Sequence, residues 1–478
     1  MVRLPAQTSA LGLSIIPAAL VLTALAVLAA VFSSVNPLLA FLPLILLVFV
    51  VLALNHPNVL VYAMILSTPL FSGMPRGQIT PLLKPNEVIL LFISILLLVR
   101  RVAVASSFHP WSRIDTAFFL FYATRTILPL IFNPSALREP PAISLKFIFG
   151  PIQYYLVYRI VLETFTDRAA TLRALATAFV AGVVVALIGL LQAADFPGIG
   201  EFLRTYYPSK KGVYTYLHSM RITSLFGGDW NGCGLYLSQV ILLGLFLHSW
   251  SRRTSSRQTS RRLAIMVAVI LTALAMTLTF SFSSAIAFAA SLAFLSYRLG
   301  RLARFLVWLP VVGTAITGAV YLLFREALLQ RMALQFGRRS VLIPWTFLYR
   351  MYYWKSILMP HILKRPVFGH ASKPVEWVSE ESYYFFLLVK SGFVGLVGYG
   401  AGIYLLFKEL GRIGEAADPL TSRTCLLALV LMVELLVANV GGLYFEYSGV
   451  TETFWLVVAV AAVQHRLPVS EGDRQINS

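Results

Sequence analysis

Leu263–Leu278 reads LAIMVAVILTALAMTL, sixteen residues without a charge, directly after Arg261 and Arg262. Apolar windows of about 20 residues are long enough to cross a hydrocarbon core of about 30 Å as a helix. Val88–Val99, VILLFISILLLV, reads the same way. Alternation with period two is absent, which excludes membrane strands. The whole chain agrees with these two stretches: of 478 residues, 58% are hydrophobic and only 12% charged. A soluble domain carries about a quarter charged residues. With a mean hydropathy of +0.78, the sequence predicts an all-α polytopic membrane protein.

Fourteen spans are expected, with twelve as the nearest alternative: Ala10–Phe32, Pro37–Leu54, Asn58–Ser72, Glu87–Val102, Ile114–Phe132, Ile143–Leu162, Leu172–Gln192, Gly232–Trp250, Leu263–Phe280, Ser283–Tyr297, Phe305–Phe324, Gly392–Leu410, Thr424–Leu443 and Thr453–Val463. Met1–Phe32 has a basic start and an apolar run but no clear small-residue cleavage site, so it reads as the first span. Residues 1–324 form an N-terminal helix bundle, 325–391 a large external loop, 392–467 the C-terminal helices and 468–478 a polar tail.

The formal charge of +19 lies largely in short turns between apolar runs. That distribution speaks of topology, and no nucleic acid partner is indicated. Turns carrying Arg100, Arg101 and Arg113, then Arg252, Arg253, Arg257, Arg261 and Arg262, then Arg298, Arg301 and Arg304, then Arg412 and Arg423 fall on one side. That side is cytoplasmic by the positive-inside rule, and both termini lie there. Two longer segments, Ala193–Asn231 and Arg325–Ser391, lie outside and are nevertheless basic. Long loops partly escape the rule, but external clusters of Lys and Arg also mark an anionic ligand. Between Arg325 and Ser391 stand ten basic residues, among them Arg350, Lys364, Arg365 and Lys390, against Glu326, Glu376, Glu380 and Glu381.

Within the external segments, Arg221-Ile-Thr-Ser-Leu-Phe-Gly-Gly-Asp-Trp-Asn-Gly-Cys-Gly234 places glycines before a helix that starts near Gly232. An arginine beside a helix N-terminus suits a phosphate oxygen. Lys211 stands upstream among Tyr206, Tyr207, Tyr214 and Tyr216, which stack on sugars or lie in the membrane interface. Farther on, Pro366 and Gly369 bound a turn that presents His370. Glu380 and Glu381 are adjacent where a helical pattern begins, so one of them faces a given site. A carboxylate among many cations is a candidate general base or a salt-bridge partner that orders the loop. Charges inside spans are costly and therefore informative. Arg159 snorkels toward the cytoplasmic face, whereas Arg125 and Lys146 reach the external site or pair between helices. Acidic partners in neighbouring spans are scarce, which favours the site. Cys233 and Cys425 lie near or in apolar segments, so no disulfide is indicated. The external segments hold no Asp-x-Asp pair and no His or Cys cluster, so no metal is expected. No Walker-type loop occurs, and no cofactor is expected.

These segments resemble those of the O-antigen ligase and polysaccharide polymerase superfamily of membrane glycosyltransferases. The likeness rests on helix count, on Arg221 with Phe226, Asn231 and Gly232, and on Arg350, Trp354, Pro366, Gly369 and Ser391-Gly-Phe-Val-Gly-Leu396. It implies a GT-C-like bundle with a periplasmic loop. The substrate it implies is an undecaprenyl-diphosphate-linked oligosaccharide, added to a growing polysaccharide acceptor at the inner membrane, with chain-length regulators and export proteins as partners. Arg221 and Arg350, with Lys211, Arg125 and Lys146, would hold the diphosphate. Glu381, or else His370, would take the acceptor proton. Ligases carry a histidine where this chain has Glu381-Ser382, which favours a polymerase. The family's Ser-Arg-Gly segment stands here as Ser281-Phe-Ser-Ser284, without the arginine. A ligase that moves finished glycan and a lipid-linked oligosaccharide flippase are the alternative readings.

Overall fold

The computed structural model describes residues 48–49, 51–52, 55–75, 83–103, 108–139, 141–208, 221–254, 259–336, 345–373, 382–416 and 418–468. Two of the expected site residues, Lys211 and Glu381, lie outside these, as do the span expected at Ala10–Phe32 and most of that at Pro37–Leu54. The chain divides into a unit of Met1–Leu60 with Ile93–Ser107 and a second of Val61–Phe92 with Phe108–Ser478. The candidate site belongs to the second.

The helices are α1 (Pro57–Phe71), α2 (Pro85–Ala103), α3 (Arg113–Tyr122), α4 (Leu128–Phe132), α5 (Pro141–Thr164), α6 (Arg168–Ala193), α7 (Ile199–Tyr206) and α8 (Trp230–Thr254). Then follow α9 (Thr259–Leu278), α10 (Phe282–Arg298), α11 (Leu302–Phe336), α12 (Trp345–Tyr353), α13 (Met359–Lys364), α14 (Tyr383–Ala416), α15 (Pro419–Ala438) and α16 (Val450–Arg466). Among the described residues there is no strand. Among the described residues six stretches are long and apolar enough to cross a membrane: Arg113–Phe132, Arg168–Ala193, Trp230–Ser251, Thr259–Leu278, Tyr383–Glu415 and Pro419–Ala438. The chain is an all-α, membrane-embedded protein.

Local chemistry accounts for the helix boundaries. Asp167 accepts the Ala170 N–H at 2.6 Å, Asp418 the Leu420 N–H at 3.0 Å, and Ser112 forms a reciprocal capping box with Asp115. Each satisfies donors that a helix start leaves orphaned. Because α3, α6 and α15 all begin where these aspartates stand, one end of the bundle collects their charge. There Arg159 meets Asp115 at 3.2 Å and Glu163 at 2.6 Å, and Arg168 meets Asp418 at 2.8 Å. Arg159 is thus ion-paired within the protein. Every residue from Val450 to Gln464 is buried, so α16 is a central helix with no solvent face. Helix α11 runs through Arg325, where the polar loop was expected to begin, and ends at Phe336. Arg325, Glu326, Ala327 and Leu328 are all good helix formers, and charge alone does not stop a helix.

The opposite end of the bundle holds the loops. Inside α14, Gly392 has φ 64° and ψ −163°, a conformation open essentially to glycine alone. A Cβ there would stand 2.2 Å from the Val367 carbonyl oxygen. The break lets α14 receive the Pro366–Ala371 segment by backbone hydrogen bonds. His370 N donates to Val389 O at 2.9 Å, Ala371 N to Lys390 O at 2.8 Å and Phe393 N to Pro366 O at 2.8 Å. The turn expected from Pro366 and Gly369 is therefore sewn into a helix kink.

Candidate functional site

The Arg221 loop is anchored from both sides before its arginine is placed. The Gln192 side-chain oxygen, at the end of α6, accepts the N–H groups of Thr223 at 3.0 Å and Ser224 at 2.9 Å. Ile222 N donates to the Leu278 carbonyl of α9 at 3.1 Å. Arg221, only 6% exposed, donates from Nε to Thr279 O at 2.7 Å and from Nη2 to Phe280 O at 3.1 Å and Asn231 Oδ1 at 3.3 Å. Its guanidinium carbon lies 4.0 Å from the Trp230 ring centroid, within cation–π range. These contacts fix the direction of the charge.

Asn231 joins that loop to the start of α10. Ser281 Oγ donates to Asn231 Oδ1 at 2.9 Å and Ser284 Oγ to the Asn231 carbonyl at 2.9 Å. Ser283 Oγ lies 2.8 Å from the hydroxyl of Tyr444. Tyr444 opens a 3-10 turn, Tyr444–Glu446, between α15 and α16. The charges of Asp229, Arg350 and Arg221 all act on its hydroxyl. Burial, then Asp229, push this phenol up against the opposing pull of the Ser283 hydrogen bond, Arg350 and Arg221, so it stays protonated. Arg350, from α12, can come this close because residue 441 is glycine: a Cβ at Gly441 would lie 3.0 Å from Arg350 Nη1 and 3.3 Å from Ser283 Cβ. Arg221 and Arg350, far apart in sequence, thus approach one tyrosine.

The turn that carries Tyr444 is clamped. Tyr383 N, at the start of α14, donates to Asn439 O at 2.9 Å and Gly442 O at 3.0 Å, and Asn439 Oδ1 accepts the Phe445 N–H at 3.2 Å. The strongest clamp is Arg125. Its Nη2 lies 2.5 Å from Glu446 Oε1, while Nη1 donates to Phe147 O and Thr126 Oγ1, each at 3.0 Å. The scarce acidic partner is therefore Glu446, which belongs to a turn and not to a neighbouring span. Lys146, one residue before Phe147, is exposed on α5.

His370 stands in a different cluster. Its Nε2 lies 3.0 Å from the His361 carbonyl oxygen. Burial, with the charges of Arg365, His361 and Lys390, lowers its pKa against the pull of that hydrogen bond, so the imidazole is neutral at pH 7. The structure sets Arg221, through Asn231, and Arg350, beside Gly441, next to the Ser281–Ser283 segment, gives Arg125 to Glu446 and sets His370 among other cations. Sequence reasoning missed Tyr444, Ser283 and Glu446. For Tyr444 and Glu446 the signal was a polar interruption, Tyr444-Phe-Glu-Tyr-Ser-Gly449, between two apolar runs. Among the described residues no three His, Cys, Asp or Glu side chains gather closely enough to hold a metal ion.

In comparison with known proteins, the chain matches no family model and no curated sequence.

Proposed function

We propose that this cluster of side chains binds the diphosphate of a lipid-linked oligosaccharide, and that the protein is a glycosyltransferase polymerising such repeat units. The observation that carries the reading is the approach of Arg221 and Arg350 to Tyr444 and Ser283 at the loop end of an apolar helix bundle. Two guanidinium groups supply the fork geometry that matches phosphate oxygens. As the sugar–oxygen bond breaks, negative charge grows on the departing diphosphate. Fixed cations in a site of low dielectric stabilise that charge more than the ground state. Tyr444 and Ser283 add hydroxyl groups beside them.

In this reading the loop end faces the periplasm of a bacterial inner membrane, and the termini face the cytoplasm. The carrier is undecaprenyl diphosphate, and the bundle has about fourteen spans. The polar interruption at 439–449 and the loops at 345–373 and 221–229 then lie on one face, where lipid and polymer meet. The sequence resemblance supports the same chemistry.

The test is transfer by purified protein in detergent, with a fluorescent diphosphate-linked repeat unit, with and without EDTA. A ladder of products that survives chelation, reduced about 100-fold by Arg221→Ala and by Arg350→Ala, supports the reading. Single transfer to an added lipid or protein acceptor would replace it with a ligase. Translocation of the carrier in liposomes without product would replace it with a flippase.

A further inference from the structure

Polymerisation also needs a group to receive the proton of the attacking hydroxyl, since that oxygen becomes acidic only as its bond to carbon forms. His370 turns Nε2 to a carbonyl oxygen among cations. Glu446 is held by Arg125. Glu452 accepts from Ser448 Oγ at 2.8 Å and from Gly449 N at 2.6 Å, and Glu434 accepts from Ser238 inside a span. Asp229 differs from all of these. It is the described carboxylate whose charge acts on the Tyr444 hydroxyl together with those of Arg350 and Arg221.

Its geometry suits a proton acceptor. Oδ1 accepts the N–H groups of Asn231 at 2.9 Å and Gly232 at 3.0 Å, which caps α8 and fixes the side-chain rotamer. Oδ2 has no hydrogen-bond partner among the described residues. The half-buried side chain therefore keeps one oxygen tethered and one available. A base so held loses little freedom when it meets its substrate.

We propose that Asp229 is the catalytic base of the transfer, with Oδ2 as the receiving atom; the proposal rests on the glycosyltransferase reading above. The acceptor hydroxyl oxygen forms a bond to the anomeric carbon. The bond from that carbon to the diphosphate oxygen breaks, its electron pair leaving on the diphosphate beside Arg221 and Arg350. The hydroxyl proton passes to Asp229 Oδ2 and later to water.

The decisive variant is Asp229→Asn. It retains an Oδ1 that can cap α8 but has no basic oxygen. Expected with the diphosphate-linked repeat is a fall in turnover of about 100- to 10,000-fold, with binding of that repeat unit, measured on the same preparation, unchanged within about threefold. Turnover within threefold of wild type would overturn the proposal, as would an equal loss of binding, which would make Asp229 a helix cap alone. Glu381→Gln run in parallel tests the rival base: its inactivity beside an active Asp229→Asn would move the base to Glu381 and overturn the proposal. If the wild type forms no product and the arginine variants bind the repeat unit normally, the glycosyltransferase reading itself has failed.

Discussion

Removing the Glu446 carboxylate should be among the most destabilising single changes in the bundle. Arg125 and Glu446 are 2.5 Å apart, with 1% and 11% of their side chains exposed. Glu446→Ala would leave a guanidinium inside the bundle without a counter-charge, bonded to the Phe147 carbonyl and the Thr126 hydroxyl and faced by the Phe147 and Phe386 rings at 5.1 and 5.6 Å. Stranding one member of a buried pair costs about 3–5 kcal/mol. Arg412 and Glu409 are also close, 2.7 Å apart, but Arg412 is 54% exposed, so Arg412→Ala should cost about 1 kcal/mol or less. Replacing both buried partners by apolar residues, Arg125→Met with Glu446→Leu, should recover most of the loss, because the stranded charge then disappears. Equilibrium unfolding in mixed micelles measures all four proteins. A cost below about 1 kcal/mol for Glu446→Ala would refute the argument, as would a double variant no more stable than the single one. Because Glu446 shares its 3-10 turn with Tyr444, Glu446→Ala should also lower transfer, and the double variant should restore stability more fully than activity.

Three further outcomes follow from named contacts. Tyr444→Phe removes the hydroxyl bonded to Ser283 at 2.8 Å; it should cost about 1 kcal/mol of stability and lower kcat, and steady-state kinetics unchanged from wild type would remove Tyr444 from the site. Gly392→Ala forces a Cβ to 2.2 Å from Val367 O at φ 64° and should destabilise by at least about 1–3 kcal/mol, visible as a lower unfolding midpoint. His370 has a lowered pKa in the folded protein, whereas the unfolded chain takes up its proton near pH ~6.5. Stability should therefore fall as pH drops below that value, and His370→Gln should flatten the fall between about pH 7 and about pH 5; an unchanged slope would exclude His370 as its source.

Helices were readable because apolar length in this chain is a local property. The boundary at Ser281 was visible in the residues, and Ser281 caps α10 there. The polar stretch at Arg325 misled because charge and helix termination are separate matters, and α11 continues through it. The motif from Arg221 to Asn231 was legible as an arginine held beside a helix start, and Arg221 does reach Asn231 at 3.3 Å. What the residues could not show is which distant turn closes over them. Glu446 lies 321 positions from Arg125, and Tyr444 meets Ser283 across 161. Pairings at that range follow from how helices of similar composition stack, and the stacking order leaves no trace in hydropathy. Asp229 was in plain view, yet its backbone hydrogen bonds to Asn231 and Gly232, next to the Asn231 side chain that Arg221 reaches, emerge only from the fold.

A glycosyltransferase of this kind requires Arg221 and Arg350 to hold one diphosphate. A cryo-electron microscopy map of the protein in nanodiscs, with a non-transferable phosphonate analogue of the lipid-diphosphate substrate, tests it most directly. Phosphorus density is expected between the two guanidinium groups, with phosphate oxygens within about 3 Å of each and Tyr444 beside them. Density elsewhere, such as against the exposed Lys146 on α5, with none beside Arg221 and Arg350 at saturating analogue, would contradict it.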